Sequence, residues 1–214
     1  MIKQIAQIVS FVFHPLLMAS YIFAIILFTY PYISIPKIEY KFFLLAIVFT
    51  CTYLIPSLVM VGLKKAKIIS SFRIPDRKER IIPFIICIII YIYTYVLLLK
   101  QVEFYGQLFP NIILVITCSL ILVLTISFWW KISAHTIGMG GLTGLVFWIH
   151  FSTSQYYYWM IILTIIFSMM VISARLYLKA HSQFQVYIAY ASGILISLYA
   201  YPWLENNKNW LNLF

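Results

Sequence analysis

Apolar stretches of about 20 residues, long enough to cross the hydrocarbon core of a bilayer as α-helices, recur along almost the whole sequence. With 64% hydrophobic and only 9% charged residues, the chain lacks the polar surface of a soluble domain. The sequence therefore predicts an all-α, polytopic transmembrane bundle of six to seven helices. The candidate spans lie roughly at 11–30, 42–62, 81–99, 109–130, 137–151, 156–173 and 185–201.

The connections between these spans are short and contain no linker, so we expect one integral membrane domain over residues 1–214. Pro15 and Pro56 fall inside candidate spans, where a proline removes a backbone hydrogen bond, and we expect kinks there. The three cysteines lie inside apolar stretches without metal-ligand spacing. We therefore expect neither a disulfide nor a metal site.

Fifteen Lys and Arg residues against five Asp and Glu residues give a formal net charge of +10. Basic residues at helix ends face anionic lipid headgroups, which accounts for this charge without a nucleic acid. We therefore expect the membrane bilayer, and no nucleic acid, as a partner of the chain.

Three polar loops share one side of the predicted bundle, which we call the motif face. Two spans separate each loop from the next, so the loops at 63–80, 131–136 and 174–184 emerge together. The candidate site residues of these loops are Arg73 and Arg80 in the first, Ser133 and His135 in the second, and Arg175 and His181 in the third.

Arginines and histidines on one face indicate chemistry on an anion, and a phosphate group fits them best. Guanidinium groups match phosphate oxygens, and a neutral histidine can attack phosphorus while a second histidine protonates the departing oxygen. This chemistry requires no metal. The amides of Ser133 to Thr136 are expected at a helix N-terminus, which favours an anion. The glycines of "HTIGMGGLTG" fit close helix packing better than a phosphate loop.

The order and spacing of these residues resemble the signature of the type 2 phosphatidate phosphatase superfamily, membrane lipid phosphatases that share a fold with vanadium haloperoxidases. That signature has a lysine and an arginine separated by six residues and followed by proline, then P-S-G-H, then S-R, five residues, H, three residues and D. Here "RIPDRKER" at 73–80, "ISAH" at 132–135 and "ARLYLKAHSQFQ" at 174–185 correspond to the three motifs. The resemblance implies a helical core of the phosphatase and haloperoxidase type.

The resemblance also implies a role for each site residue. His181 is the nucleophile that becomes phosphorylated, and His135 is the general acid toward the leaving group. The phosphate oxygens are bound by Arg73, Arg80, Ser133 and Arg175. Neither a metal nor another cofactor is implied, and the partner is a phosphorylated lipid or isoprenoid substrate.

These implications predict a metal-independent membrane phosphatase that hydrolyses a lipid phosphate monoester or an isoprenoid diphosphate through a phosphohistidine. Gln185 stands where the family has the aspartate that orients the nucleophilic histidine. On a helix, His181 and Gln185 would share a face, and the glutamine oxygen can accept the histidine N–H without supplying a charge. A silent relative that binds phosphorylated lipids is therefore the alternative. A transporter has less support, because the charges lie at one face rather than at the midplane.

Two opposing indications bear on which side of the membrane the motif face occupies. Eleven of the fifteen Lys and Arg residues lie on this face, and the positive-inside rule places such a face in the cytoplasm. The resemblance implies a bacterial inner membrane with the site on the outer face in many relatives. We favour the cytoplasmic side, because the charge distribution belongs to this chain.

Overall fold

The computed structural model describes residues 1–30, 37–72, 74, 76–152 and 157–206, and within them the chain is helical and contains no strand. The helices are α1 (Ile2–Val12), α2 (Pro15–Thr29), α3 (Ile38–Phe49), a π-helical turn (Thr50–Leu54), α4 (Ile55–Lys65), a 3₁₀ turn (Lys78–Arg80), α5 (Ile81–Leu99), α6 (Val102–Tyr105), α7 (Leu108–Ser127), α8 (Ala134–Ser152), α9 (Tyr158–Tyr177) and α10 (Gln183–Asn206). The all-α prediction is confirmed.

Five helical segments among the described residues are long and apolar enough to cross a membrane, so the chain is an integral membrane protein. The segments are Ile38–Lys65, Lys78–Leu99, Leu108–Ser127, Tyr158–Tyr177 and Gln183–Leu204. The sharply bent pair α1 and α2 makes a sixth if it counts as one span. The five segments fall below the predicted six to seven spans, and the lower limit of six is reached only when the bent pair counts as one span.

The predicted span at 137–151 forms helix α8, but this helix is not among the segments apolar enough to cross a membrane. Glycines, threonines and two histidines lower its hydropathy. About half of its residues are buried, and it packs against both α9 and α10. Its polar composition therefore suits a helix enclosed by other helices rather than one surrounded by lipid.

The chain divides into two compact units. The first unit comprises Met1–Ser10 and Ser133–Phe214, and the second comprises Phe11–Ile132. In the first unit α8 contacts α9 and α10, and in the second α5 packs along α7 while α2 contacts α3 and the π-helical turn. The single domain over 1–214 stays a prediction.

Glycines allow α8 and α10 of the first unit to pack so closely that their backbones are in contact. A Cβ atom added to Gly140 would collide with the carbonyl oxygen of Tyr190, and one added to Gly144 would lie 2.7 Å from the carbonyl oxygen of Ile194. A Cβ atom added to Gly193 would likewise collide with the carbonyl oxygen of Ile137. The interpretation of these glycines as packing residues agrees with the structure. Because later residues of α8 face later residues of α10, the two helices run parallel.

A proline and a tyrosine explain the π-helical turn of the second unit. Pro56 has no N–H, so it cannot donate to the Thr52 carbonyl as a residue four positions later in a regular α-helix would. The buried Tyr91 hydroxyl of α5 donates to this carbonyl instead, at 3.2 Å. The predicted disturbance at Pro56 therefore takes the form of a wide turn whose carbonyl is satisfied from a neighbouring helix.

The predicted kink at Pro15 is a complete break between two helices. Helix α1 ends at Val12, and α2 begins at Pro15, where the missing N–H costs no intrahelical bond. His14 caps α2, because its Nδ1 accepts the Leu16 amide at 3.4 Å. The histidine therefore has a structural capping role.

Candidate functional site

The third motif forms a tight turn between α9 and α10 in the first unit. Helix α9 ends in a Schellman motif: the Ala180 amide donates to the Arg175 carbonyl at 3.1 Å, and the Lys179 amide donates to the Leu176 carbonyl at 2.9 Å. Lys179 takes the left-handed conformation that this motif requires, with φ of +50°. The five-residue spacing between Arg175 and His181 is therefore the length of one helix-terminating turn.

Helix α10 begins two residues after His181, and Gln185 in its first turn folds back over its N-terminus. The Gln185 Oε1 atom accepts the Ser182 amide at 3.0 Å and lies 3.3 Å from His181 Nδ1. The bond to the Ser182 amide is half of a capping box, in which a glutamine at the third helical position reaches back to the N-cap amide. The residues 182–185 read "SQFQ", which has the spacing of that motif.

The Ser182 amide determines the orientation of the Gln185 side-chain amide, that is, which of its two terminal atoms is the oxygen. A backbone N–H can only donate, so the atom it contacts must be the amide oxygen rather than the NH₂ group. That oxygen then accepts a hydrogen bond from the Nδ1–H group of His181, and a neutral imidazole keeps its lone pair on Nε2. Since His181 is also largely buried, the ring is held in the tautomer that carries its proton on Nδ1.

The second motif lies at the start of α8, also in the first unit. Ser133 is fully buried and precedes the first helical residue; its Oγ accepts the Thr136 amide at 3.5 Å. Its carbonyl oxygen accepts the Ile137 amide at 3.1 Å and the Thr136 hydroxyl at 3.2 Å. Ser133 is thus the N-cap of α8. The predicted helix N-terminus at 133–136 is confirmed, whereas binding of phosphate by Ser133 stays a prediction.

His135 in the first turn of α8 contacts the N-terminal helix. Its Nε2 atom lies 3.1 Å from the carbonyl oxygen of Ser10, which can only accept, so Nε2 carries the proton. A second proton, if present, would be on Nδ1. An imidazolium held in this way could pass the Nδ1 proton to a leaving group while the Ser10 carbonyl keeps the ring oriented.

The parallel packing of α8 and α10 places the second and third motifs at the same end of the first unit. The contacts of Gly140 with Tyr190 and of Gly144 with Ile194 run in the same direction along both helices. The first turns of α8 and α10, which carry His135 and Gln185, therefore share an end. This agrees with the topology predicted from the alternation of the spans.

The first motif lies in the second unit and is bound to the backbone of that unit. The largely buried Arg80 donates from Nε to the Ile74 carbonyl at 3.0 Å and from Nη1 to the Ile132 carbonyl at 3.4 Å. The neighbouring Arg77 donates from Nη1 to the carbonyls of Phe128 and Trp129, just beyond α7. The two arginines therefore join the loop before α5 to the segment after α7.

Some of the predicted site residues lie in contact with each other, and the roles of all of them stay predictions. The contact between His181 and Gln185 is present, and the Arg175 carbonyl accepts the amide of Ala180, the residue before His181. Arg73 lies outside the described residues. Ser182 and Ser10, whose backbone groups bond the candidate site, were not predicted; the capping-box spacing could have revealed Ser182, and nothing in the sequence indicated Ser10.

A comparison of the chain with protein-family models, with curated proteins and with solved structures finds no match.

Proposed function

We propose that the chain is an integral membrane phosphatase that hydrolyses a lipid phosphate monoester or an isoprenoid diphosphate through a phosphohistidine on His181. The observation that carries this proposal is the orientation of His181, whose Nδ1 bonds to Gln185 Oε1 while that oxygen also accepts the Ser182 amide. A nucleophilic histidine needs its proton on one ring nitrogen and a lone pair on the other, held in a fixed direction.

The first step is attack of His181 Nε2 on phosphorus. The new N–P bond forms as the bond from phosphorus to the leaving oxygen breaks, and His135 gives that oxygen a proton. The products are a phosphohistidine and a lipid alcohol, or an isoprenyl monophosphate when the substrate is a diphosphate. Gln185 keeps the Nδ1 proton in place during the attack.

The second step returns the histidine to its starting state. Water attacks the phosphorus of the phosphohistidine, and His135, now neutral, accepts a proton from the water. The N–P bond breaks, inorganic phosphate leaves, and Nε2 regains its lone pair. No redox change occurs and no metal is needed.

Positive charge for the phosphate comes from Arg175 in the last turn of α9, half-buried and one Schellman turn away from His181. A guanidinium at a helix C-terminus is favoured by the helix dipole and offers several donors to phosphate oxygens. Arg73 and Arg80 are proposed as further ligands from the resemblance of the first motif. The cytoplasmic side of a bacterial inner membrane remains the proposed location, from the charge distribution.

The proposal is tested by phosphate release from the detergent-purified protein with phosphatidate, phosphatidylglycerophosphate and polyprenyl diphosphates. The native protein should release phosphate from at least one of these substrates, and His181→Ala should abolish the release. Unchanged release by His181→Ala would exclude His181 as the nucleophile. The matched control is His150→Ala, because His150 packs against Phe151 and Tyr158 at the other end of α8.

A second candidate function is binding of a phosphorylated lipid without turnover. The neutral Gln185 amide favours it, because no charge stabilises the imidazolium character of His181 as the N–P bond forms. In the serine proteases, an amide in place of the orienting carboxylate lowers turnover about 10⁴-fold. Saturable binding of a lipid phosphate by native protein that releases no phosphate would support this function and exclude the first.

A further inference from the structure

Helix α1 is amphipathic and displays its apolar side chains to the surroundings of the protein. Ile2, Ile5 and Ile8 are spaced three residues apart and are 60%, 53% and 61% exposed. The buried residues of α1 are the small Ala6 and Ser10, while Gln7 and Val9 are half-buried. The helix therefore buries its small residues and exposes its large apolar ones, the reverse of a helix in a soluble protein.

The length and polarity of α1 indicate which partner covers this face. Eleven residues span about 16 Å, roughly half of a hydrocarbon core, so α1 cannot cross a bilayer by itself. Lys3 and Gln4 are exposed beside the isoleucines, and a cation on the polar side matches anionic headgroups. The break before Pro15 allows the chain to change direction between α1 and the apolar helix α2.

We propose that α1 lies in the membrane interface, with Ile2, Ile5 and Ile8 among the upper acyl chains, and that its Ser10 carbonyl positions His135. The second part rests on the proposed phosphatase function, whereas the first part is independent of it. The bilayer surface is thus a structural partner of the candidate site, acting through α1.

The contact with His135 follows from the way α1 ends. In a continuous helix the Ser10 carbonyl would accept the amide of His14, but that amide bonds to the Phe11 carbonyl at 3.3 Å. The Ser10 carbonyl accepts His135 Nε2 at 3.1 Å. Ser10 is a positioning residue in this account, because its oxygen contacts the proposed acid and not the substrate. Displacing α1 from the interface would release that histidine.

The depth of α1 is measured with nitroxide side chains placed one at a time at Lys3, Gln4, Ile5 and Ile8 in the full chain, in vesicles containing phosphatidylglycerol. The exposed Cys118 is replaced by serine, and the same protein without an added cysteine gives the labelling background from the buried Cys51 and Cys87. Labels at Ile5 and Ile8 should relax mainly with oxygen, and labels at Lys3 and Gln4 should relax mainly with a water-soluble nickel chelate.

Two results would overturn the interfacial position of α1. In the first, all four labels respond alike to oxygen and to the nickel chelate, because α1 lies entirely in water or, as part of a bent span, entirely in hydrocarbon. Spin–spin broadening at Ile5 that disappears on dilution with unlabelled protein would mean that a second copy of the chain covers the face. Neither result depends on enzymatic activity, so failure here is distinguishable from failure of the phosphatase proposal.

The contact with His135 is tested by carbethoxylation, read by mass spectrometry, in a variant with Ile2, Ile5 and Ile8 all changed to serine. Loss of the apolar anchor should raise modification of His135 several-fold and leave His150, at the other end of α8, unchanged. The nitroxide labels would first show that α1 of the variant has left the interface. If His135 were then modified equally in the native and variant proteins, positioning of His135 through Ser10 would be excluded. Phosphate release by the same variant should fall together with the change at His135.

Discussion

Gln185 Oε1 lies 3.3 Å from His181 Nδ1 and at the same time accepts the Ser182 amide at 3.0 Å. One oxygen thus caps helix α10 and orients the candidate nucleophile. The capping bond excludes the opposite orientation of the Gln185 side-chain amide, because an NH₂ group cannot accept a hydrogen bond from the Ser182 N–H. Gln185 can therefore supply the geometry that the proposed function requires of an orienting carboxylate, but it cannot supply the charge.

Changing Gln185 separates geometry from charge. Gln185→Glu has the same length, keeps both acceptor contacts and adds a charge beside His181 and the N-terminus of α10. We expect it to raise turnover at least tenfold, within the limit of about 10⁴-fold known for the corresponding exchange in serine proteases. Phosphate release under saturating substrate measures the effect.

The matched variant Gln185→Met keeps the length of the side chain but has no comparable acceptor. It should lower turnover about 100-fold, since the tautomer and direction of His181 would no longer be fixed. Turnover by Gln185→Met equal to that of the native protein would show that the contact does not orient the nucleophile.

Adjacent glycines of α8 provide a test of the helix packing. Gly140→Ala should destabilise the protein by about 1–3 kcal/mol, because the added Cβ would meet the Tyr190 carbonyl and force α8 and α10 apart. Gly141→Ala is the control, since its Cβ would make an ordinary contact of 3.7 Å with Ser197 Oγ. Thermal unfolding in detergent should show a lower midpoint for Gly140→Ala only; equal midpoints would contradict the close approach.

The bond across the π-helical turn predicts non-additive effects of two substitutions. Tyr91→Phe removes the donor to the Thr52 carbonyl and should cost about 1–3 kcal/mol. Pro56→Ala supplies an amide near that carbonyl, so Tyr91→Phe should cost less in its presence. Tyr93→Phe, on the exposed side of α5, is the control. Unfolding midpoints that fall equally with and without Pro56→Ala would contradict this explanation of the turn.

Arg80 is expected to contribute to stability whether or not it binds phosphate. Arg80→Lys should lower the free energy of unfolding by about 1 kcal/mol without ligand, because an ammonium lacks the planar fork that contacts the carbonyls of Ile74 and Ile132. The exposed Lys78, changed to methionine, should leave stability unchanged. If Arg80→Lys alters only phosphate release and not the unfolding midpoint, the carbonyl contacts have no structural importance.

The positions of most helices could be predicted because long apolar runs leave few alternatives. The span predicted at 81–99 coincides with α5, and the one predicted at 42–62 lies within Ile38–Lys65. Helix α1 was missed, because an 11-residue amphipathic segment is too short to count as a span. Its spacing of isoleucines at residues 2, 5 and 8 was nevertheless visible in the sequence.

The candidate site shows a similar limit. The contact between His181 and Gln185 was predicted correctly, but the reason was wrong: His181 lies before α10 rather than on it. A four-residue spacing gives the same contact here because the side chain of a capping residue reaches back over the helix N-terminus. The contact of His135 with the Ser10 carbonyl joins residues 125 positions apart, which no local pattern predicts.

The most direct test of the account is to trap the phosphoenzyme. Purified protein is mixed with a ³²P-labelled lipid phosphate, quenched in alkali, where phosphohistidine survives, and mapped by mass spectrometry. The account predicts an acid-labile phosphate on His181 that forms at least as fast as phosphate is released and is absent from His181→Ala. A phosphate on another residue, or phosphate release without any phosphohistidine, would contradict it.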